Sequence, residues 1–265
     1  MSRSKPFGLL VVAAAVAVGG AVVTVVPAGV GGHGTASAPS VSPRDGVDNG
    51  HLARDLGALP LSFEANHGQA DHGVDFVARG RGYALSLRAS ELAVGFTSSN
   101  NDRASNGGGV VRMRLVGARS DAPATPRNPL PGKVNYFVGN DPTRWRSGIP
   151  TYASVGYTGV YPGIDAVYYG NGQALEYDFV VAPGADPGAI ALGFDGVEAL
   201  RINHTGDLVL ESGAGQLRQR APRLYQEVDG TRRSVEGRFV AHGDDRVGFA
   251  VGPYDKTLPL VIDPV

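Results

Sequence analysis

The chain has 265 residues, with 24 Lys and Arg against 25 Asp and Glu, so its formal net charge at pH 7 is −1. A charge so close to zero produces no long-range field that would attract nucleic acid or an anionic membrane surface, and neither partner is predicted. The chain contains no Cys, which excludes disulfides, thiolate nucleophiles and zinc–thiolate sites. Its 39 Gly and 18 Pro are scattered, which is typical of many turns between short strands.

The N-terminus has the features of a signal peptide over residues 1–28. Arg3 and Lys5 supply positive charge, and an uncharged apolar run follows from Phe7 to Val26. Because this run is about long enough to cross a bilayer, an uncleaved N-terminal anchor is the alternative. We therefore expect an exported protein that is secreted or held at the cell surface, with no other contact with the membrane. Residues 29–48 are rich in Gly, Ser, Pro and Ala and predict a flexible linker.

Residues 49–265 predict a β-rich domain that follows one short helix over Asn49 to Gly57. Most of its strand-like segments are joined by turns too short for a crossover helix, which indicates antiparallel sheets. The predicted fold class is all-β and antiparallel β-sandwich-like, as one unit or as two packed β subdomains. The predicted strands are Val74 to Ala78, Tyr83 to Leu87, Leu92 to Phe96, Val110 to Val116, Val134 to Val138, Ile149 to Val155, Ile164 to Tyr169, Leu175 to Val181, Ile190 to Phe194, Leu208 to Leu210, Leu224 to Val228, Val235 to Val240, Val247 to Val251 and Leu260 to Ile262.

Two segments of the domain predict surface loops. The stretch from Ser98 to Gly109 is rich in Ser, Asn and Gly, and the stretch from Arg119 to Pro131 is rich in Pro, Ala and Asp. A subdomain boundary near residues 119–131 and a long hairpin excursion both account for the second loop.

One hairpin has a predicted register. Asn171-Gly172 is the favoured pair for a two-residue type I′ turn, which places Tyr169 opposite Ala174. Continued along both strands, this register predicts one wholly apolar face, which should pack on the core. It places Asp165 opposite Asp178 on the other face.

Three carboxylates, Asp165, Glu176 and Asp178, share that second face, and like charges facing each other across a ladder are unfavourable. Three interpretations stay open. A hard cation such as calcium, the one cofactor considered, would suit three oxygen ligands, and two carboxylates would suit the acid and base roles of sugar hydrolysis. The third interpretation is ion pairing on a solvated face with neighbouring arginines, for example Arg218, Arg220 or Arg223.

Aromatic residues concentrate between Tyr136 and Tyr177, and two of them, Trp145 and Tyr169, are candidate ligand-binding residues. Trp145 lies between two arginines and is expected to be partly exposed, where it would suit stacking against a sugar. The alternative is that these aromatics belong to the core and to cross-strand pairs, as most aromatics of β domains do. No G-x-S-x-G elbow and no phosphate-binding G-x-x-x-x-G-K-[ST] loop occurs, so no catalytic residue is assigned and a non-enzymatic role is favoured.

Several stretches of the chain resemble one family. They are PLSFEANHGQ (Pro60 to Gln69), FVARGRGYALSL (Phe76 to Leu87), LPGKVNYFVGNDPTRW (Leu130 to Trp145), GVYPGIDAVYYGN (Gly159 to Asn171), LEYDFVVAPGADP (Leu175 to Pro187), YQEVDG (Tyr225 to Gly230) and PLVIDPV (Pro259 to Val265). Together they look like an uncharacterised all-β domain of bacterial secreted and cell-surface proteins, in which the domain precedes repeats of a seven-bladed β-propeller type. The resemblance covers essentially Pro60 to Val265 and brings no catalytic residues with it.

From these features we expect an exported, non-enzymatic structural or interaction module of an extracellular protein, normally preceding a β-propeller. Its partner would be another extracellular or cell-envelope protein domain. The alternative is a carbohydrate-binding module or a glycan-directed hydrolase that uses the aromatics around Trp145 together with the three carboxylates.

Overall fold

The computed structural model describes residues 22–23, 60–80, 82–96, 109–172, 174–213, 215–243 and 245–264. Most of the predicted signal peptide, the linker, the helix over Asn49 to Gly57 and nearly all of the Ser98 to Gly109 loop lie outside these residues. No helix among the described residues is long and apolar enough to cross a membrane. The helical structure in this part of the chain consists of two 3₁₀ turns, at Pro142–Arg144 and Pro187–Ala189.

The remaining regular structure consists of strands. In chain order they are β1 (Val22–Val23), β2 (Phe63–Ala65), β3 (Phe76–Gly80), β4 (Tyr83–Arg88), β5 (Glu91–Phe96), β6 (Val110–Leu115), β7 (Ala124–Phe137), β8 (Arg146–Tyr161), β9 (Ile164–Asn171), β10 (Ala174–Val181), β11 (Leu192–Asp195), β12 (Ala199–Ile202), β13 (Leu208–Ser212), β14 (Gly215–Gln219), β15 (Arg223–Val228), β16 (Thr231–Val235), β17 (Gly237–Ala241), β18 (Arg246–Val251) and β19 (Leu260–Asp263). The predicted all-β, antiparallel fold class is confirmed.

Most strands form one antiparallel sheet, in the order β16-β15-β19-β10-β9-β8-β2-β3-β4-β5-β6-β11-β18-β17. Strand β7 pairs with one side of β8 along most of its length, and β1 pairs with β7. Strands β9 and β2 therefore share the other side of β8, β9 near Ser154 and β2 near Thr151. The sheet divides at β8 into two halves, and a small separate sheet, β12-β13-β14, covers part of the core.

The two halves of the sheet pack face to face. Phe179 on β10 and Phe249 on β18 lie far apart in the strand order, yet their ring centroids are 6.0 Å apart. Alternation along β10 turns Tyr177, Phe179 and Val181 inward, where burial of the apolar faces of both halves supplies the main stabilisation. This arrangement of two facing layers around one core agrees with the predicted sandwich-like architecture.

The outer edges of the two halves meet at Glu236. Strand β16 ends at Val235 and β17 begins at Gly237, and these two strands lie at opposite ends of the strand order. The Glu236 carbonyl accepts a hydrogen bond of 2.8 Å from the Gly252 amide, so the linking residue is itself held by the layer that contains β18. The prediction of one strand over Val235 to Val240 is wrong, because the chain passes from one layer to the other at Glu236, within this segment.

The loop predicted over Arg119 to Pro131 is largely a strand. Residues 124–131 form the first part of β7, whose Pro126 and Pro129 lie opposite Val155 and Tyr152 on β8. Proline within sheets is confined largely to edge strands, and among the described residues β8 is the one strand paired with this part of β7. The composition of this segment therefore indicated an edge position, and the loop prediction was wrong.

Gly237 lies at the junction between the layers, where a larger side chain has no room. A Cβ atom on this residue would lie 2.4 Å from Cδ1 of the buried Leu224, so Gly237→Ala has to displace a core side chain. We expect a loss of about 1–3 kcal/mol in the free energy of unfolding, measured by urea denaturation. The matched control is Gly95→Ala on β5, where the new Cβ would lie 3.9 Å from its nearest neighbour; equal losses for both variants would contradict the close approach at the junction.

Candidate functional site

The β9–β10 hairpin has a different register from the predicted one. Asn171 lies opposite Ala174 and Tyr169 opposite Glu176, so the turn falls one residue later than Asn171-Gly172. Asn171 stays in the strand, and its Nδ2 donates a 2.9 Å hydrogen bond to Glu176 Oε1. The shift is two residues in the pairing, which keeps every side chain on its predicted face but changes its partner.

This register separates Asp165 from the other two carboxylates. Asp165 lies opposite Val180, and its Oδ1 accepts a 2.8 Å hydrogen bond from the Gly159 amide. The prediction that Asp165 faces Asp178 is wrong. Among the residues that the structure describes, no group of three or more His, Asp or Glu is arranged to hold a metal ion.

Asp263 takes the place that sequence reasoning gave to Asp165. Strand β19 pairs with β10 so that Phe179 lies opposite Ile262, which puts Asp263 beside Asp178. Asp178 accepts a 3.0 Å hydrogen bond from the Tyr169 hydroxyl. We call this half-buried group of Tyr169, Glu176, Asp178 and Asp263 the acidic patch; it lies on the outer face of the sheet.

The electrostatics of the acidic patch disfavour full ionisation. Burial raises the pKa of Asp178 to about 6, with further contributions from the charges of Asp263 and Glu176, while the Tyr169 hydrogen bond opposes the rise. Burial also raises the pKa of Asp263, although Arg223 and Arg232 lower it. Of the arginines suggested as partners of the three carboxylates, Arg223 lies opposite Asp263, whereas Arg218 forms an ion pair with Asp207.

The long hairpin of β7 and β8 carries a second candidate site. Among the described residues, the large apolar side chains with more than a third of their surface exposed are Leu130 at 37%, Val138 at 40% and Trp145 at 40%, and all three lie on this hairpin or on the turn that closes it. We call the hairpin the arm, and the group of Phe137, Val138 and Trp145 at its end the arm-tip surface. Exposed apolar groups that cluster in this way indicate a contact surface.

Trp145 is exposed but held in place. Its Nε1 donates a 3.2 Å hydrogen bond to the Gly139 carbonyl, and its ring meets the Phe137 ring edge to face with a centroid distance of 5.3 Å. The preceding 3₁₀ turn is capped by Asp141, whose Oδ1 accepts from the Thr143 amide at 3.0 Å. These contacts fix both the backbone and the indole, which reduces the entropy that a binding partner would have to remove.

Two sets of contacts fasten the arm to the body close to its tip. The buried Glu64 carboxylate accepts hydrogen bonds from Arg79 and from the Tyr136 hydroxyl, and Arg79 also lies 4.9 Å from the centre of the Tyr136 ring. Arg146, which lies opposite Tyr136, donates a 3.1 Å hydrogen bond from Nε to the His67 carbonyl. The arm is therefore a positioned element with a small core of its own, formed by Val134, Tyr136 and Ile149.

The two predicted ligand-binding residues lie in different places. Tyr169 is opposite Ser154 on β8, and Trp145 adjoins the start of that strand at Arg146. The eight residue steps from Arg146 to Ser154 span about 26 Å in an extended strand. A single small ligand does not bridge Trp145 and Tyr169, so the sugar platform predicted from both residues is not assembled.

Comparison with known proteins places this fold in a family. A family model described as a domain of unknown function, DUF7948, matches residues 63–265. The chain belongs to the DUF7948 family. No curated protein and no solved structure matches the chain. The predicted resemblance to an uncharacterised all-β domain is thus confirmed, and the family description assigns no activity.

Sequence reasoning missed some of the residues that build the sites of this DUF7948 domain. Asp263 stood at the end of a short predicted strand with no sign of its neighbours, because strand order is not encoded locally. Phe137 belonged to the predicted aromatic concentration but was not assigned as ligand-binding, and Val138 was predicted simply as the end of a strand. The short spacing between Val138 and Trp145, with Pro142 to favour a tight turn, was the available signal.

The raised pKa of Asp178 predicts a gain in stability when its charge is removed. A carboxyl whose pKa is about 6 in the folded protein and 3.8 ordinarily destabilises the fold above pH 6, and this cost disappears as the pH falls toward 4. Allowing for solvent screening of this partly exposed group, we expect Asp178→Asn to raise the free energy of unfolding by about 1 kcal/mol at pH 7.5 and by less at pH 4.

Urea denaturation at the two pH values measures the effect. Glu198→Gln is the control, because Glu198 is an exposed carboxylate outside the acidic patch, and we expect it to change stability by less than about 0.5 kcal/mol. A loss of stability in Asp178→Asn that is the same at both pH values would contradict the assignment, since it would indicate a required carboxylate.

Proposed function

We propose that this DUF7948 domain is an exported, non-enzymatic interaction module that docks onto another extracytoplasmic protein domain through the arm-tip surface. One observation carries the proposal: Trp145 is 40% exposed although hydrogen bonding and ring packing hold its indole in place. A large apolar side chain kept rigid in solvent has no stabilising role that requires its exposed face, whereas a pre-organised indole suits the centre of a protein interface.

The chemistry of the tip defines the partner. Trp145 and Val138 offer apolar surface, and the surrounding turn contributes exposed polar side chains such as Asn140 and Arg144. An apolar centre with a polar rim matches the composition of protein interfaces. The partner is accordingly a folded domain with an apolar pocket wide enough for an indole.

The sequence supports the location and the neighbourhood of this interaction. Arg3 and Lys5 before the apolar run from Phe7 to Val26 favour export, and the resemblance to domains that precede propeller-type repeats favours an adjoining extracellular domain as the partner.

A carbohydrate-binding module is the second candidate, and the same indole favours it. An exposed indole face flanked by polar side chains also suits stacking against a sugar ring. The glycan-directed hydrolase receives less support, because Trp145 precedes the first residue of β8, whereas Tyr169 of the acidic patch lies opposite Ser154, well along that strand.

The docking proposal predicts a position-specific crosslink. With the photoreactive residue p-benzoylphenylalanine at Val138, irradiation of cells that export the full chain should give one discrete protein adduct outside the cytoplasm. The same residue at Thr231, an exposed position on β16, should give none. Adding Trp145→Ala should reduce adduct yield at least tenfold, because truncating a central Trp weakens an interface by about 2 kcal/mol or more.

Leu130→Ala is the matched control for the loss of apolar surface, since Leu130 is also exposed on the arm but lies away from its tip. Its adduct yield should stay within about threefold of the parent. Equal yields with and without Trp145 would refute the proposal. If Trp145 fluorescence instead responds saturably to an oligosaccharide, and no protein adduct forms, the carbohydrate-binding alternative is correct.

Export makes a separate prediction about the N-terminus. Intact-mass measurement of the protein recovered outside the cytoplasm should show that roughly the first 28 residues have been removed, as expected for a cleaved signal peptide. A recovered mass that still includes Met1 to Val26 would replace cleavage with an uncleaved anchor. Protein found in the cytoplasm alone would refute export.

A further inference from the structure

A cavity of about 250 Å³ lies between the large sheet and the three-stranded sheet, away from the arm. Leu92 and Met113, from neighbouring strands of the large sheet, line one side of it. Leu210 and Leu217, on β13 and β14, line the other. The space is partly open to solvent, so it is a cleft between the two sheets and not an enclosed void in the core.

The cavity persists because both of its walls are held by strand pairing. Leu92 lies opposite Met113 in the β5–β6 ladder, and Leu210 lies opposite Leu217 in the β13–β14 ladder. Closing the space would require one of these ladders to move as a unit.

Two polar side chains besides the tyrosines line the space. Arg218 is ion-paired with Asp207, and the Tyr177 hydroxyl donates a 2.9 Å hydrogen bond to Gln219 Oε1. Gln219 Nε2 donates to no acceptor among the described residues and can serve a ligand. A mainly apolar space with a few polar groups at its wall is the usual composition of a small-molecule site.

From this combination we infer that the cavity binds a compact, uncharged apolar molecule that carries one hydrogen-bond acceptor, with Gln219 Nε2 donating to that acceptor. An engineered cavity of about 150 Å³ holds benzene, so this one has room for a substituted ring of about 8–12 non-hydrogen atoms. A ligand of that size binds with a Kd on the order of 0.1–1 mM. The site is independent of the proposed docking function.

Met113 gives a direct readout, because the chain has two methionines, Met1 and Met113. In the full chain labelled with ¹³C at the methionine methyl groups, the Met113 signal is assigned by its loss in Met113→Leu. Acetophenone and ethylbenzene are the probes: they have nearly the same size and shape, but acetophenone alone carries a carbonyl acceptor. Both should shift the Met113 signal saturably, and acetophenone should bind more tightly.

Two variants test the roles of the donor and the space. Gln219→Glu keeps the acceptor for the Tyr177 hydroxyl but removes the donor. It should therefore weaken the binding of acetophenone about three- to tenfold and change the binding of ethylbenzene less than twofold. Leu217→Trp should fill the cavity and abolish the binding of both probes. Gln216→Trp is its control, because residue 216 is exposed on the opposite face of the same strand.

The possible results separate the site from non-specific binding. Absence of saturation up to the solubility limit of both probes would overturn the inference, and so would binding that survives Leu217→Trp in a folded variant. If Leu217→Trp does not fold, the Gln219→Glu variant provides the test. An equal loss of affinity for both probes in this variant would refute the assigned hydrogen bond. Crosslinking at Val138 is unaffected by any of these outcomes.

Discussion

The joining of the two sheet halves at Glu236 is the constraint on which the rest of the molecule depends. An open antiparallel sheet of this length would leave unpaired edges and an uncovered apolar face. Here one residue carries the chain from β16 to β17, at opposite ends of the strand order, and so brings the faces of both halves together. The contact between Phe179 and Phe249, the burial of β19 in the middle of one half, and the space left beneath the three-stranded sheet all follow from this closure.

The same closure explains why the binding features lie where they do. The side chains between the two halves of the sheet pack against one another. Side chains that could bind a ligand or a partner therefore lie on the outer face, beside the small sheet and on the arm. The acidic patch forms because β19 inserts beside β10 and brings Asp263 next to Asp178. The arm keeps a defined direction because the buried Glu64 carboxylate accepts hydrogen bonds from Arg79 on β3 and Tyr136 on β7. An exposed Trp145 at the end of a flexible hairpin would bind weakly; at the end of a fastened one it is pre-organised.

Local pattern predicted most strands of this fold but little of their assembly. Apolar runs such as Leu260 to Ile262 identified buried strands, whereas β14 and β16 were missed because their exposed sequences, GQLRQ and TRRSV, lack a repeating apolar face. The predicted register of the β9–β10 hairpin was wrong by two residues. The predicted and the observed register bury the same face of the hairpin, so the apolar pattern does not distinguish them. Asp263 was missed because strand order depends on contacts between distant segments, while Trp145 was found because an aromatic residue between two arginines is a local signal.

Trp145 should be solvent-exposed yet held in place before any partner binds. Trp145 is the single tryptophan of the chain, so time-resolved fluorescence anisotropy of the unmodified protein reports on this residue alone. The anisotropy should decay almost entirely with the slow tumbling of the whole protein, and Phe137→Ala should add a fast component by removing the edge-to-face contact. A large sub-nanosecond component in the parent protein, typical of a freely moving exposed side chain, would contradict the account.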